Sequence, residues 1–578
     1  MNAFNDIWFG VGSEHKPRFV RGGNSDWHER SFGKMTYWES YPLDSEKNPF
    51  VSSYEDDNYR LILLGQLYED LTVGKLFNRC IRYIEDSQRF IDPAGHYIIF
   101  VLDKKKGQLH VFTNRFGTYQ AYFLSEGMGS AIATPFISLA KQSKDKALDW
   151  EGVTSFLGQG FFANNNTFLK KIKILEPSSH YLFGNDLQKI SHRRYWQWEH
   201  NIVDQRLNDA VESVHESLLN SITTATRNQR VALPISGGLD SRTLLGVLTE
   251  KEQEYNSLWS YSYGYSKRSI ETRIAQKLAR VKNISFNGYK LPNYLFDRID
   301  VIAESVDLFQ YIDGTRQASM IDILKEKSDV VIGGHWGDVW FDNMGVDNEE
   351  ELLPYYQKKI IKKGSQWLLE NICKDHVLQP EELLKDNFNS FMSKYEHIKD
   401  VDFRMKIFKT DQWSFRWTLP SIRMYQAGSM PILPFYDKNV AYTLTSVPTK
   451  QLAGRSFQIE YIKAKYPDLA KVRWQEYGTN LYLYKKINNR NLIYRGLKKG
   501  QRMITPGKHI IRNWELFYLN SNGRKELESI FFDDKFKDVL PHHKINRLLN
   551  EFYLTPNSSN GYTISMLHTF LQFLKRIL

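Results

Sequence analysis

The stretch Gln229–Leu248, QRVALPISGGLDSRTLLGVL, decides the fold. Apolar residues from Val231 to Ile235 read as a strand, and a helix follows with no intervening linker. Between them stands Ser236-Gly237-Gly238-Leu239-Asp240-Ser241. Two adjacent glycines let the backbone turn tightly and set its N–H groups against an anion, and the helix N-terminus adds about half a positive charge. This is the pattern of a pyrophosphate cradle. Ser236 and Ser241 offer hydroxyls to phosphate oxygens, and Asp240 is a hard oxygen ligand for the Mg2+ that accompanies ATP. The competing reading is an ordinary strand-turn-helix corner capped by Ser or Asp. The Gly-x4-Gly-Lys-Ser/Thr pattern of kinases and motors is missing, so γ-phosphate transfer of that kind is not indicated. Pro234 lacks an N–H and is compatible with a strand only at a sheet edge or a strand end.

Working outward, LNDAVESVHESLLNSITTATRN from Leu207 repeats apolar residues at helical spacing. Downstream, a helix (Arg242 to Glu250), a strand (Ser257 to Tyr263), a helix (Ile270 to Arg280), a strand (Ser285 to Leu291) and a later strand (Val330 to Gly333) alternate. Alternation of this kind implies right-handed crossovers and a doubly wound parallel sheet, with ligands at the carboxyl ends of its strands. The rest of the chain reads as mainly helical. The first 200 residues have a different texture, with short apolar runs between turns, and HYIIFVLD-KKKG-QLHVFTN reads as a hairpin. The expected division is a β-rich unit over 1–200 and an α/β unit over 205–578.

At 42% apolar, 14% aromatic and 25% charged residues the chain is globular and not disordered. Its two cysteines, Cys80 and Cys373, form no cluster, so neither a disulfide framework nor a zinc site is expected. The start MNAFNDIWFG lacks the regions of a signal peptide and no run of 18 apolar residues occurs, so a cytoplasmic location is expected. The net charge of +11 is concentrated: residues 471–513 hold eleven Lys and Arg against Glu476 alone. Such a segment can attract an anionic substrate, a polyphosphate or a membrane surface. No nucleic-acid motif accompanies it, and nucleic acid is not expected as a partner.

SGGLDS with its preceding helix resembles the synthetase domain of the asparagine synthase family, and the resemblance extends over nearly the whole chain. LGQLYEDL (64–71), DPAGHYIIFVLD (92–103) and NRFGTYQAYF (114–123) resemble that family's glutaminase-type domain, an α+β β-sandwich of the N-terminal-nucleophile (Ntn) kind. A glutaminase of this type needs a cysteine at residue 2 once Met1 is removed, and residue 2 is Asn2. A degenerate domain that does not hydrolyse glutamine is therefore expected.

VVIGGHWGDVWFDN (330–343) resembles the motif that supplies the second metal-binding aspartate, which falls on Asp338. By the same resemblance, Leu233, Ser236, Gly237, Gly238, Asp240, Ser241, Tyr263, Gly333 and Gly334 surround the nucleotide, while Asp240 and Asp338 share Mg2+. The position of a catalytic Glu in asparagine synthetase, Tyr in β-lactam synthetase, holds His335, an apt acceptor for the proton of an attacking amine, with an apparent pKa expected above 6.5 beside phosphates and carboxylates. A structural histidine is the alternative. RMYQAGSMPILPFYDKNVAYTL (423–444) matches a pocket-wall segment through Pro434, Phe435 and Asp437. YPDLAKVRWQEYGTN (466–480) resembles the segment with an adenylate-stabilising lysine, but that position falls on Gln475 or Glu476. Lys471 or Arg473 is expected to supply the charge instead.

The resemblance implies an ATP-dependent, AMP-forming carbon–nitrogen ligase of PP-loop architecture. Two substrate readings stand open: a surface-glycan uronic acid amidated with ammonia from elsewhere, or a peptide carboxylate closed onto its own N-terminal amine as in lasso-peptide cyclases. An ammonia-supplying or precursor-processing partner, and contact with a membrane surface through 471–513, go with them. A rival reading is a catalytically impaired ATP-binding scaffold.

Overall fold

The computed structural model describes residues 4–11, 16–17, 21, 27–41, 48–86, 89–250, 254–266, 269–487, 496 and 512–578. Asn2 and most of the basic segment, namely 488–495 and 497–511, lie outside the described residues. Residues 7–194 build two six-stranded antiparallel sheets. One runs in the order Ile172–Ile174, Tyr122–Leu124, Ala131–Ala133, Ile7–Val11, Met35–Glu39, His28–Phe32, and the other Lys189–Arg194, Ser179–Phe183, Gln108–Thr113, Gly95–Asp103, Tyr59–Leu67, Val51–Glu55.

The period of two along each strand sorts the side chains into layers. Ile62 and Leu64 join Phe9, Tyr37, Phe100 and Val111 between the sheets, while Leu61 and Leu63 turn outward onto Leu76, Phe77 and Cys80 of the helix Val73–Asp86. Trp8, Trp38 and Tyr122 cover the opposite outer face together with Phe136 and Phe156 from two further helices. The unit is thus layered helix, sheet, sheet, helix. Gly95–Asp103 is buried at all nine positions, and its middle, Tyr97 to Leu102, runs apolar without alternation. The expected hairpin forms with Leu102 opposite Leu109 and Gly107 in the left-handed region at φ 63°.

The second sheet system is fully parallel, in the order Ser285–Lys290, Ser257–Gly264, Arg230–Pro234, Val330–Ile332, Met430–Ile432. Pro234 is the last residue of its central strand, beyond the Val231–Val330 and Ala232–Val331 pairs, so its missing N–H costs no rung there. The strand Met430–Ile432 was not expected; it lies at the sheet edge, where Pro431 is tolerated. Helices Leu207–Thr226, Asp240–Leu248 and Ile270–Val281 follow the apolar spacing. The C-terminal helix Ser558–Ile577 packs back on the first unit, with Phe573 stacked 4.1 Å from Phe168. No helix among the described residues is long and apolar enough to cross a membrane.

A buried polar triad also joins the two units. Arg423 pairs with Asp307 at 2.7 Å, and Tyr122 donates to Asp307 at 3.2 Å while accepting from Arg423 at 3.1 Å. The Asp307 side chain is 0% exposed, so removing the cation would strand a buried carboxylate at a cost of about 3–5 kcal/mol. Arg423→Met is expected to lower the unfolding free energy by that amount in urea titration; a loss under about 1 kcal/mol would mean that Tyr122 and backbone alone satisfy Asp307.

Candidate active site

The loop after Arg230–Pro234 is braced from within. The Ser236 N–H donates to Ser241 Oγ at 3.0 Å, the two serine hydroxyls lie 3.1 Å apart, and the Gly238 N–H donates to Ser236 Oγ at 3.2 Å. Leu239 occupies the cap position of the helix Asp240–Leu248 and contributes no side-chain acceptor. The first-turn N–H groups therefore face the loop without a side-chain partner, an arrangement that suits an anion.

The loop after Val330–Ile332 comes up against it. A Cβ on Gly334 would stand 3.6 Å from Asp240 Cβ and 3.6 Å from the Ser241 backbone N, and one on Gly337 would stand 2.6 Å from Asp240 Oδ1. Glycine at 337 lets the Asp240 carboxylate lie directly on the backbone that leads into exposed Asp338. Trp336 makes the turn in the left-handed region, φ 76° and ψ −7°, a conformation costing roughly 1–2 kcal/mol for a side chain of this kind. Its indole N–H donates to Thr410 Oγ1 at 3.2 Å and its ring stacks 6.2 Å from Tyr436, which holds the turn. Burial, with Asp338 close by, raises the Asp240 pKa, while Arg455 and Gln458 oppose the rise. Arg455 forms an ion pair with Asp240 Oδ1, and Gln458 donates to the same oxygen at 3.1 Å.

A third segment closes on the loop. Arg242, fully buried, donates to the carbonyls of Leu469 (3.2 Å), Val472 (2.9 Å) and Arg473 (2.9 Å). These three bonds fix the register that the sequence left open. The residue delivered to the loop is Gln475: its N–H donates to the Gly237 carbonyl at 3.2 Å, and any side chain at 237 would collide with it.

Two glycine-bearing loops and two carboxylates thus meet at the carboxyl edge of a parallel sheet. No family model matches the chain. It is 26% identical over 244 residues to asparagine synthetase (glutamine-hydrolyzing) 3 of Bacillus subtilis, covering 39% of each chain. A Methanocaldococcus jannaschii protein named as an asparagine synthetase is 22% identical over 361 residues, 57% of this chain and 65% of that one. The chain is similar to asparagine synthetases at low identity. Microcin J25-processing protein McjC of Escherichia coli is 22% identical over 422 residues, 65% of this chain and 72% of that one. The chain spans about two fifths to two thirds of the length of the two synthetases it matches. Among solved structures, a Bacillus subtilis glutamine phosphoribosylpyrophosphate amidotransferase aligns over 50% of this chain and 90% of that one, at 8% identity and a TM-score of 0.24.

The structure brings Ser236, Gly237, Gly238, Asp240, Ser241, Gly333, Gly334 and Asp338 together at one sheet edge. Gly333 donates its N–H to the Ile432 carbonyl at 2.8 Å. Leu233 is buried in the strand that feeds the loop and can meet a ligand only through its backbone. Tyr263 lies on the neighbouring strand, two residues past the partner of Pro234. Lys471 and Arg473 are not brought to the loop: both are exposed, and the Arg473 guanidinium lies over Gly478, where a Cβ would stand 3.2 Å from it.

His335 requires a correction. Its Nδ1 is buried without a hydrogen-bond partner, and burial lowers its pKa to about 4, with only Asp338 opposing. The expectation of a value above 6.5 weighed the charges and missed the desolvation, which wins here. The imidazole is neutral at pH 7, and the rate should carry no His335 ionisation between pH 6 and 8. The unfolded chain protonates this residue near 6.5 and the folded one only near 4, so stability should fall as pH drops from about 6.5 toward 4. His335→Gln should flatten that part of a Tm-against-pH curve; an unaltered slope would assign the acid loss to other groups.

Arg455, Gln458, Asp342 and Lys409 went unnoticed in the sequence. Asp342 accepts from the Arg455 N–H at 3.3 Å, and its charge, with that of Asp338, reaches Lys409. The only signal was Gly454-Arg455-Ser456 between helices, and it is weak.

Proposed function

We propose that the chain is an ATP-dependent, AMP-forming amide ligase. A carboxylate attacks the α-phosphate of ATP to give an acyl-adenylate and pyrophosphate; an amine then displaces AMP, losing one proton and leaving an amide. The observation that carries this reading is the meeting of the SGGLDS loop with Asp338 at the sheet edge, Asp240 lying on Gly337. Asp240 and Asp338 fit Mg2+, since a pair of hard carboxylates is the donor set of an ion that arrives with phosphates, and one Asp240 oxygen is not engaged by Arg455 or Gln458. When bound, Mg2+ would neutralise phosphate charge. With Gln475 where a lysine was sought, Arg455 is the cation best placed to take the charge built up as pyrophosphate leaves.

The N-terminal unit reads as an Ntn-type glutaminase fold without a competent thiol. Cys80 and Cys373 are both buried, and burial raises both thiol pKa values, Cys373 to about 12. The protein is expected to release no glutamate from glutamine above background; sustained turnover by pure protein would refute this. The amine is then ammonia from elsewhere, and the carboxylate is read as a uronic acid of a surface glycan. The breadth of the similarity to McjC favours a second reading, closure of a peptide carboxylate onto its own amine. Pyrophosphate exchange into ATP, measured across uronates and acidic peptides, tests both. Exchange with none of them, in protein that binds ATP, would support the scaffold reading instead.

A further inference from the structure

Two ammonium groups converge on the Trp413 ring without an ion-pair partner among the described residues. Lys362 follows the π-helical turn Tyr356–Ile360, and Lys409 opens the π-helix Lys409–Thr418. Irregular helices of this type occur often at functional sites. The two Nζ atoms stand 4.6 and 5.3 Å from the ring centroid of Trp413, and Lys409 Nζ is 6.0 Å from that of Trp336, two residues before Asp338. Both side chains are half-buried, and neither ammonium has a hydrogen-bond acceptor or an ion-pair partner among the described residues.

The electrostatics agree with the geometry. Burial, with Lys409 adding repulsion, brings the Lys362 pKa down to about 8. Burial lowers that of Lys409 as well, although Asp338, Asp342 and Asp402 favour its charged form from beyond ion-pair distance. Burial lowers the pKa of Lys406, one turn earlier, to about 8 as well, against the pull of Asp402, Asp342 and Asp400. Two like charges half removed from water are unfavourable unless something neutralises them, and folded proteins pair such groups where they can. The indole rings of Trp413 and Trp336 accept the cations, yet supply no anion.

We propose that Lys362 and Lys409 form a subsite for a second acidic group of the substrate, so that the molecule whose carboxylate is activated carries at least two carboxylates. What is activated rests on the ligase reading above; the subsite itself does not. Glutarate and monomethyl glutarate have the same chain and differ by one charge, and calorimetric titration of the full chain with each tests the pair. Glutarate is expected to bind at least about tenfold more tightly to the wild type. Lys362→Gln and Lys409→Gln should each erase most of that preference, and Lys409→Arg should keep it, which separates lost charge from lost fold. Equal affinity for the two probes in the wild type, or an unchanged preference in both glutamine variants, would overturn the subsite. Failure of the wild type to bind a non-hydrolysable ATP analogue with Mg2+ would instead sink the ligase reading and leave the glutarate result standing.

Discussion

Asp338→Asn is expected to lower AMP formation by at least about 100-fold, or about 2.7 kcal/mol of transition-state stabilisation. The substitution keeps the volume and the exposed position of the side chain and removes a hard anionic ligand. Asp240 can compensate only in part, because one of its oxygens is already held by Arg455 and Gln458. The loss should appear in pyrophosphate exchange as strongly as in amide formation, since both need the phosphates neutralised. A high Mg2+ concentration should recover part of it if the metal is bound through the remaining carboxylate. Unchanged AMP production by a folded Asp338→Asn protein would mean that the phosphate charge is met elsewhere.

How much of this was readable in the chain depends on whether the signal is local. SGGLDS declares itself because loop, glycines and helix start are contiguous, and the Asp338 motif does so for the same reason. The alternation of strands and helices from Arg230 to Ile332 is equally a short-range pattern. Ile7–Val11 and Met35–Glu39 are different: both are buried on two faces, so no alternation marks them, and Met430–Ile432 is three residues long with a proline inside. Arg455 acts through a left-handed backbone at φ 60° that nothing in Gly454-Arg455 demands, and its partner is 215 residues away. Lys362 and Lys409 are likewise joined only by tertiary packing around Trp413. His335 was found as a candidate, but the sign of its pKa shift depends on burial, which a motif does not encode.

Arg455→Ala should reduce adenylation by about 10²–10³-fold, the range typical of removing one preorganised donor from a developing negative charge. The larger part of the effect follows from Gln475. With a neutral amide seated on Gly237, the cation in contact with the loop's own aspartate is Arg455, whereas Lys471 and Arg473 are exposed and the Arg473 guanidinium lies over Gly478. Lys471→Ala and Arg473→Ala are therefore expected to change exchange less than about threefold each. Arg455→Lys should recover only part of the activity, since an ammonium keeps the charge but loses the planar fork that can meet Asp240 and a phosphate oxygen together. Gln475→Lys offers the converse test: a lysine at the loop should partly rescue Arg455→Ala, because the two positions would then serve the same charge. A large defect in Lys471→Ala or Arg473→Ala, with Arg455→Ala near wild type, would return the role to the segment in which the sequence first located it.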